Sequence, residues 1–524
     1  MALEMRRNQG KNGIGLSNYD RVCRTDDRPW QRPSGSPSAT NSKNRGDQAS
    51  ELLLDKTSPA TVRKRDSKQK INSPPHGCLG CRGIATMWTM KNQPVPGRLI
   101  QRLPKKIQRL LRQVGALADE QGVALYLVGG VVRDLLLKRE NWDLDLTVEG
   151  DGVAFARLVA DRYKAGLAVF ERFATARLVF PDGLKVDIAT TRQESYAQPA
   201  VLPTVQPASI EADLSRRDFT INAIAVQLNQ RQFGRLLDPY GGRRDLRERT
   251  IRVLHAGSFQ DDPTRIFRAI RFEQRFGFRL ERTTSRLLVQ AASTNLIQRL
   301  SGPRLQNEIL LLLAERDPVR ALVRLGQLKL LRFLHRGLCY RKDVKRTVTA
   351  VPKALTWWVS RFPDSAIDRP IVYLMALSSE SSPSVVATMI RRLVLSREQG
   401  KKVSTGRSLV DRALKSLTKE GTVRPSQVYR LLEDFSDEAL VLLLAKKLSK
   451  QQGVRLSLLR RHLTAYMKNR TMKTALTGRD LQAMGLQMGP QYKTILGKLL
   501  DARIDGMVTT EAEERAFVQE RLTG

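Results

Sequence analysis

The stretch Leu127-Val-Gly-Gly-Val-Val-Arg-Asp134, followed closely by Asp143-Leu-Asp145, decides how this chain is read. It has the pattern of an apolar strand, a glycine turn, a helix start and then a second strand with two carboxylates two residues apart. Side chains at i and i+2 of a strand point to the same face, so Asp143 and Asp145 can grip the same cations. Just upstream, Gly129 and Gly130 leave backbone amides at a helix N-terminus open to an anion. A phosphate cradle beside a metal-holding carboxylate pair suits transfer of a nucleotidyl group. Two surface carboxylates at a strand end would show the same D-x-D. The glycine pair and Arg133 at a fixed distance upstream weigh against that plainer reading.

Outward from this core the chain changes character. Residues 1–90 are rich in Ser, Asn, Gly, Pro, Arg and Asp without a sustained apolar period, and are expected to be a disordered leader. Asp20, Asp26, Asp27, Asp47, Asp55 and Asp66 are too many acids for a transit peptide. A start of translation at Met87 or Met90 would also account for the leader. Helices are expected over 107–121 and 153–163. Strands are expected over 125–128, 143–148, 170–173, 176–180 and 184–189, the last two joined by the hairpin signal Pro181-Asp182-Gly183. Beyond 236 the apolar period becomes helical, as in the Leu-rich runs 305–314 and 440–448, with 378–384 as a loop between helices. The fold class is therefore α+β, a small catalytic module followed by an all-α extension.

The 524 residues carry 90 Lys+Arg against 52 Asp+Glu, a formal net charge of +38. A single basic run is usually a solvated helix face. An excess this large over a whole chain favours a polyanionic partner, with nucleic acid the first candidate. No run of about eighteen apolar residues is present, which argues against a membrane span. The four cysteines make no disulfide framework in a chain of this size, and a reducing, cytoplasmic location is expected. Cys78-x-x-Cys81 with His76 nearby is a weak zinc signal without a second pair.

Four further segments carry polar chemistry. In Lys185-Val-Asp-Ile-Ala-Thr-Thr-Arg192, Asp187 alternates with apolar neighbours; it is either a third catalytic carboxylate or a polar residue on a half-exposed sheet. In Arg216-Arg-Asp-Phe-Thr-Ile-Asn-Ala223, three charges precede an apolar run read as a helix. Asn222 then lies one turn beyond Asp218, so that both can face one ligand. Arg217 suits a triphosphate, and Asp218 and Asn222 suit a ribose; a helix start complemented by its acid is the alternative. Asp238-Pro-Tyr-Gly-Gly242 is a tight turn. In Asp261-Asp-Pro-Thr-Arg-Ile-Phe-Arg-Ala-Ile-Arg271, Pro263 places Asp262 at an N-cap, and Arg265, Arg268 and Arg271 share one helix stripe. A carboxylate accepts from an exocyclic amine and a guanidinium donates to ring acceptors, so Asp262 and Arg265 fit the pairing edge of cytosine or adenine. Guanine and uracil present a carbonyl there and leave the acid unpaired.

Taken in order, these motifs resemble the bacterial class II tRNA nucleotidyltransferase and poly(A) polymerase family, strongly over about residues 105–300. The likeness continues more weakly into the tail at Leu476-Thr-Gly-Arg-Asp-Leu481 and Gly489-Pro490. The resemblance implies a polymerase-β-like nucleotidyltransferase palm, a small mixed sheet with helices, followed by an all-α neck, body and tail. The expected divisions are a head over 103–235, a nucleotide-selecting neck over 236–300, a body over 301–400 and a tRNA-binding tail over 401–524. It further implies Mg²⁺ on Asp143 and Asp145, and the triphosphate near Gly129, Gly130, Arg133 and Arg217. Asp262 and Arg265 would serve as the protein's own template for the incoming base, with Arg268 and Arg271 supporting that pocket or contacting phosphate. The implied reaction is attack of an RNA 3′-hydroxyl on the α-phosphate of CTP or ATP, with the basic helices clamping the tRNA acceptor arm. Two departures stand out: Asp261 where Glu is more usual, and a 193–215 segment containing Tyr196-Ala-Gln-Pro-Ala-Val-Leu-Pro-Thr-Val-Gln-Pro207. The latter resembles a subgroup whose members often carry extra N-terminal domains and add only CC or only A; no such domain is read in this sequence. The rival expectations are a poly(A) polymerase acting on varied RNA ends and an inactive RNA-binding scaffold. Intact Asp143, Asp145, Arg217 and Asp262 speak against the inactive scaffold.

Overall fold

The computed structural model describes residues 99–523 apart from Leu202, 418–422 and 451–452. The leader over 1–90 and the Cys78/Cys81 pair lie outside the described residues.

Helix α1 (Lys105–Glu120) buries Ile107, Leu111, Val114, Leu117 and Ala118 along one stripe, the spacing that turns one helical face to a core. It leads into β1 (Ala124–Val128), the glycine turn and the short helix α2 (Gly130–Leu136). Then come β2 (Leu144–Glu149), α3 (Gly152–Tyr163), β3 (Gly166–Phe170), β4 (Thr175–Val179) and β5 (Lys185–Thr190). Asp151 caps α3, its carboxylate accepting from Val153 N at 3.0 Å and Ala154 N at 2.9 Å. A two-stranded hairpin, β6 (Arg192–Ser195) with β7 (Thr204–Pro207), precedes the six-residue helix α4 (Ile210–Ser215). Strands β8 (Ala225–Gln227) and β9 (Leu236–Leu237) complete a seven-stranded mixed sheet of order β3-β4-β5-β2-β1-β8-β9.

Register follows from the apolar alternation. Leu127 lies opposite Leu146, and Leu144 pairs Val186 on the parallel neighbour β5. Leu146, Leu178, Val186 and Ile188 meet Leu111 and Val114 of α1 and Val159 of α3 around one small void. That face is the core. On the opposite face the same register sets Asp145 beside Asp187, and Asp187 beside Arg177.

Two local expectations fail for identifiable reasons. Residues 170–173 are not a strand: β3 ends at Phe170, and Glu171–Phe173 form a 3₁₀ turn, because Phe170 already pairs Thr175 and the chain must reverse between them. Nor do residues 216–223 start a helix. Phe219 bridges Val253, and Thr220 N donates to Arg252 O at 2.9 Å, so only Thr220–Asn222 coils, as a 3₁₀ turn.

Beyond β9 nearly all is helical. Helix α5 (Thr264–Phe276) buries Ile266, Phe267, Ala269 and Ile270, and α6 (Gly302–Ala314) buries Leu305, Ile309, Leu312 and Leu313. Farther along, α7 (Lys342–Arg361) contributes the fully buried Trp358, and α8 (Asp437–Ser449) is buried on all sides from Glu438 to Lys447. One continuous core runs from Leu99 to Tyr466; a separate small core joins Leu476, Leu481, Leu499 and Val518. The break therefore falls near residue 470, and the expected division at 400–401 lies inside a shared core. The loop expected at 378–384 does separate helices Arg369–Leu377 and Pro383–Arg392. Among the described residues no helix is long and apolar enough to cross a membrane.

Candidate active site on the open face of the sheet

Asp143 stands one residue before β2, and Asp145 is that strand's second residue, with buried Leu144 between them. The period-2 geometry aims both carboxylates away from the core. Neither accepts a hydrogen bond from any described residue. Burial and the neighbouring Asp143 and Asp187 push the Asp145 carboxyl up to about 7. Desolvation and Asp187 also raise Asp143 above the usual carboxylate range. Desolvation and like charges thus outweigh the nearby arginines and Lys185, which pull the other way. Oxygen-only, anionic and unpartnered, the pair fits a hard divalent cation.

Asp187 sits beside Asp145 as the alternation suggested, yet both of its oxygens are taken. Arg177 donates Nε to Oδ1 at 2.7 Å and Nη2 to Oδ2 at 2.8 Å. Among the described residues no group of three or more His, Cys, Asp or Glu side chains gathers to hold a metal. The structure thus places Asp187 as an arginine-bound neighbour and does not bring it in as a third ligand.

The glycine turn comes next. Gly129 has φ +73°, a left-handed conformation that suits glycine. A Cβ added there would lie 2.8 Å from Arg217 Nη1, so the Arg217 guanidinium lies across the turn. The Gly129 amide is itself spent on Ile224 O at 3.3 Å. That leaves the amides of Gly130, Val131 and Val132, which open α2 without intrahelical acceptors, whereas the Arg133 amide reaches Gly129 O at 3.1 Å. Arg133 departs from expectation. It is buried, donates Nε and Nη2 to Asp134 at 2.9 and 2.8 Å and Nη1 to Asn222 at 2.7 Å, and lies over Phe272 and Phe276. These donors are directed to Asp134 and Asn222.

Asp218 and Asn222 do meet, at 2.8 Å, but they saturate each other and their neighbours instead of presenting free groups to a ribose. Asp218 Oδ2 accepts from Arg268 Nε at 2.8 Å, and Oδ1 also takes the Phe219 amide at 2.8 Å. Arg268 and Asn222 hold its carboxyl below the usual range despite burial. Arg268 extends to Glu308 at 3.5 Å, and Arg271 reaches Glu308 and Glu315 at 3.6 and 3.7 Å. Arg268 and Arg271 thus belong to an internal ion network with Asp218, Glu308 and Glu315, which Arg265 does not join.

At the expected base-reading pair, Asp262 Oδ1 accepts from Thr264 N at 2.9 Å, from Thr264 Oγ1 at 2.6 Å and from Arg304 Nη2 at 2.8 Å, but the N-cap of α5 is Pro263 and not Asp262, which closes the short helix before it. Its Oδ2 accepts nothing from the described residues. Arg265 is buried, donating Nη1 to Ser258 Oγ and Nη2 to Arg216 O, both at 2.7 Å. Sequence reading missed Arg177, Asp213, Arg304 and Glu308. Asp213 carried a signal, three and four residues before Arg216 and Arg217. Arg304 and Glu308 act on partners far away in the chain, and Arg177 on Asp187 directly across the β4–β5 hairpin.

A mixed sheet bearing an unpartnered strand-end carboxylate pair, a glycine turn crossed by arginine and a helical neck beside it defines a nucleotidyltransferase head. A family model described as the poly A polymerase head domain matches residues 125–252, and one described as a probable RNA and SrmB-binding site of polymerase A matches 277–341. An A-adding tRNA nucleotidyltransferase of Geobacter sulfurreducens is 41% identical over 434 residues, 81% of this chain and 48% of the relative. The chain thus spans about half the length of that relative. Another A-adding tRNA nucleotidyltransferase, from Halalkalibacterium halodurans, is 31% identical over 79% of this chain and 92% of its own length. The structure of the Thermotoga maritima CCA-adding enzyme complexed with tRNA superimposes with a TM-score of 0.67 at 33% identity, covering 82% of this chain and 99% of that one. The chain belongs to the family of tRNA nucleotidyltransferases and poly(A) polymerases. Nucleotidyl transfer in this family uses a divalent metal.

Proposed function

We propose that this chain adds nucleotide to the 3′ end of tRNA without a nucleic-acid template, and that its step is addition of the terminal A to an end already carrying CC. The single observation that carries the reaction is the Asp143/Asp145 pair, without a hydrogen-bond donor among the described residues and raised by burial and acidic neighbours, beside the turn that Arg217 crosses. The names and coverage of the A-adding relatives support the subtype. Asp143 and Asp145 would hold Mg²⁺. When bound, such an ion lowers the pKa of the attacking 3′-hydroxyl and offsets charge developing at the α-phosphate. Arg217 Nη1, with the amides of Gly130, Val131 and Val132, meets the triphosphate. Asp262 Oδ2 accepts the exocyclic amine of the base, while Arg265 donates to its ring acceptors. The whole chain's net charge of +38 suits a polyanion such as the acceptor arm of tRNA, and the cytoplasm is the proposed location.

The test offers the full chain, with Mg²⁺, tRNA transcripts ending before CC, after CC and after CCA, each with ATP, CTP, GTP or UTP. One A added to the CC end is the expected product. Addition of C would move the subtype; open-ended A tails on any RNA would indicate a poly(A) polymerase; no addition would remove the enzymatic reading. Asp262→Asn should lower the preference for ATP over GTP at least about a hundredfold, because an amide can donate to the carbonyl the carboxylate rejects. Nucleotide choice unchanged in that variant would argue against Oδ2 as the base acceptor.

A further inference from the structure

Asp213 is fully buried on α4, yet it touches neither the carboxylate pair nor the base-reading pair. Its Oδ1 accepts from Arg216 Nε at 3.0 Å and Nη2 at 2.6 Å, and from the Arg192 amide at 3.3 Å. Its Oδ2 accepts from Arg217 Nη2 at 2.8 Å and Nε at 3.3 Å. One carboxylate thus holds two consecutive arginines. Consecutive side chains ordinarily diverge, so an acceptor reached by both fixes the main chain between them.

Each arginine leads to a different half of the nucleotide site. Arg217, gripped through Nε and Nη2, has Nη1 left over, and that nitrogen lies across the Gly129 turn. Arg216 donates Nη1 to Glu194 at 2.7 Å and Nε to Arg192 O at 3.1 Å, and its own carbonyl accepts Arg265 Nη2 at 2.7 Å. The path from Asp213 therefore runs one way to the phosphate side and the other way, through the Arg216 carbonyl, to the arginine that reads the base.

We propose that Asp213 is a positioning residue that sets nucleotide affinity and base choice together, aiming Arg217 at the triphosphate and anchoring Arg265 through the main chain at Arg216. This rests on the proposed nucleotidyl transfer. A carboxylate serving only to stabilise the fold would leave the kinetics of folded protein unchanged. Asp213 instead governs both readouts at once, because an asparagine can accept through one atom only and must release one arginine.

The experiment compares the full-length wild type with Asp213→Asn and Asp213→Glu. It measures calorimetric ATP binding, KM and kcat for ATP on tRNA ending in CC, ATP-over-GTP incorporation, and tRNA affinity. Asp213→Asn should raise Kd and KM for ATP about 10- to 100-fold, the worth of one charge-assisted contact, and lower ATP-over-GTP preference about tenfold, with tRNA affinity within about twofold. Asp213→Glu keeps the charge but displaces it by a methylene, and should weaken ATP binding at least about fivefold. In an Arg217→Ala background, Asp213→Asn should change ATP affinity by less than about threefold, since its phosphate-side effect acts through that arginine. Folded variants with wild-type ATP affinity and base choice would overturn the assignment, and if the asparagine variant fails to fold the glutamate variant decides. A wild type that binds ATP but adds nothing to any tRNA would remove the proposed reaction alone, and the binding comparison would still decide the role of Asp213.

Discussion

Asp145→Asn is expected to lower single-turnover nucleotide incorporation about a thousandfold, the scale of ~4 kcal/mol lost when a metal ligand stops stabilising transition-state charge. The same change should make the metal-free protein more stable, because Asp145 is held up at about 7 by burial, Asp143 and Asp187. The sign is fixed by linkage. A carboxyl raised above its unfolded value penalises folding fully above the folded pKa, and the penalty fades as pH falls toward the unfolded value. Denaturant melts should therefore favour the variant at pH 8, by a few kcal/mol at most given ~1.4 kcal/mol per pKa unit, and the two proteins should converge near pH 4. Added Mg²⁺ should stabilise the wild type and not the variant. Incorporation within tenfold of wild type would dismiss Asp145 as a metal ligand.

Glu308→Ala is expected to cost about 3–5 kcal/mol of stability, the range for breaking a buried ion pair by removing one partner. Glu308 is 5% exposed on α6 and faces Arg268 at 3.5 Å and Arg271 at 3.6 Å. Arg268 keeps Asp218, whereas Arg271 is left with only Glu315 at 3.7 Å and is already pushed below the ordinary arginine value by burial. Urea unfolding followed by circular dichroism measures the loss. Glu308→Gln, which keeps the volume and one acceptor, should lose less. A loss under about 1 kcal/mol in the alanine variant would show the network to be solvated after all.

What the sequence made legible was whatever depended on short periods. The D-x-D face, the glycine turn and the Leu-rich helices follow from alternation at two or at about 3.6 residues, and each appears where expected. The sequence also showed that Asp218 and Asn222 would meet, but not that Arg268 would join them. It could not show which way their charges point. Arg133 and Arg268 look like phosphate hands in one dimension, but Asn222, Asp218 and Glu308, far along the chain, turn them inward. The failed helix at 216–223 has the same origin: the bridge from Phe219 to Val253 prevailed over a short run of Phe, Thr, Ile and Asn whose own helix preference is weak.

The parallel pairing of β2 with β5 has a consequence for the order in which the protein comes into being. It sets Asp145 beside Asp187 using only residues up to Thr190. The proposed base reader waits on Arg216, Asp262, Arg265 and Arg304. A ribosome needs on the order of ten seconds to travel from Thr190 to Glu308. During that interval the nascent chain owns the strands that carry its carboxylates but no means of telling one nucleotide from another. The proposed base-reading contacts are thus among the later parts of the site to form, and they wait on the helices that follow the sheet.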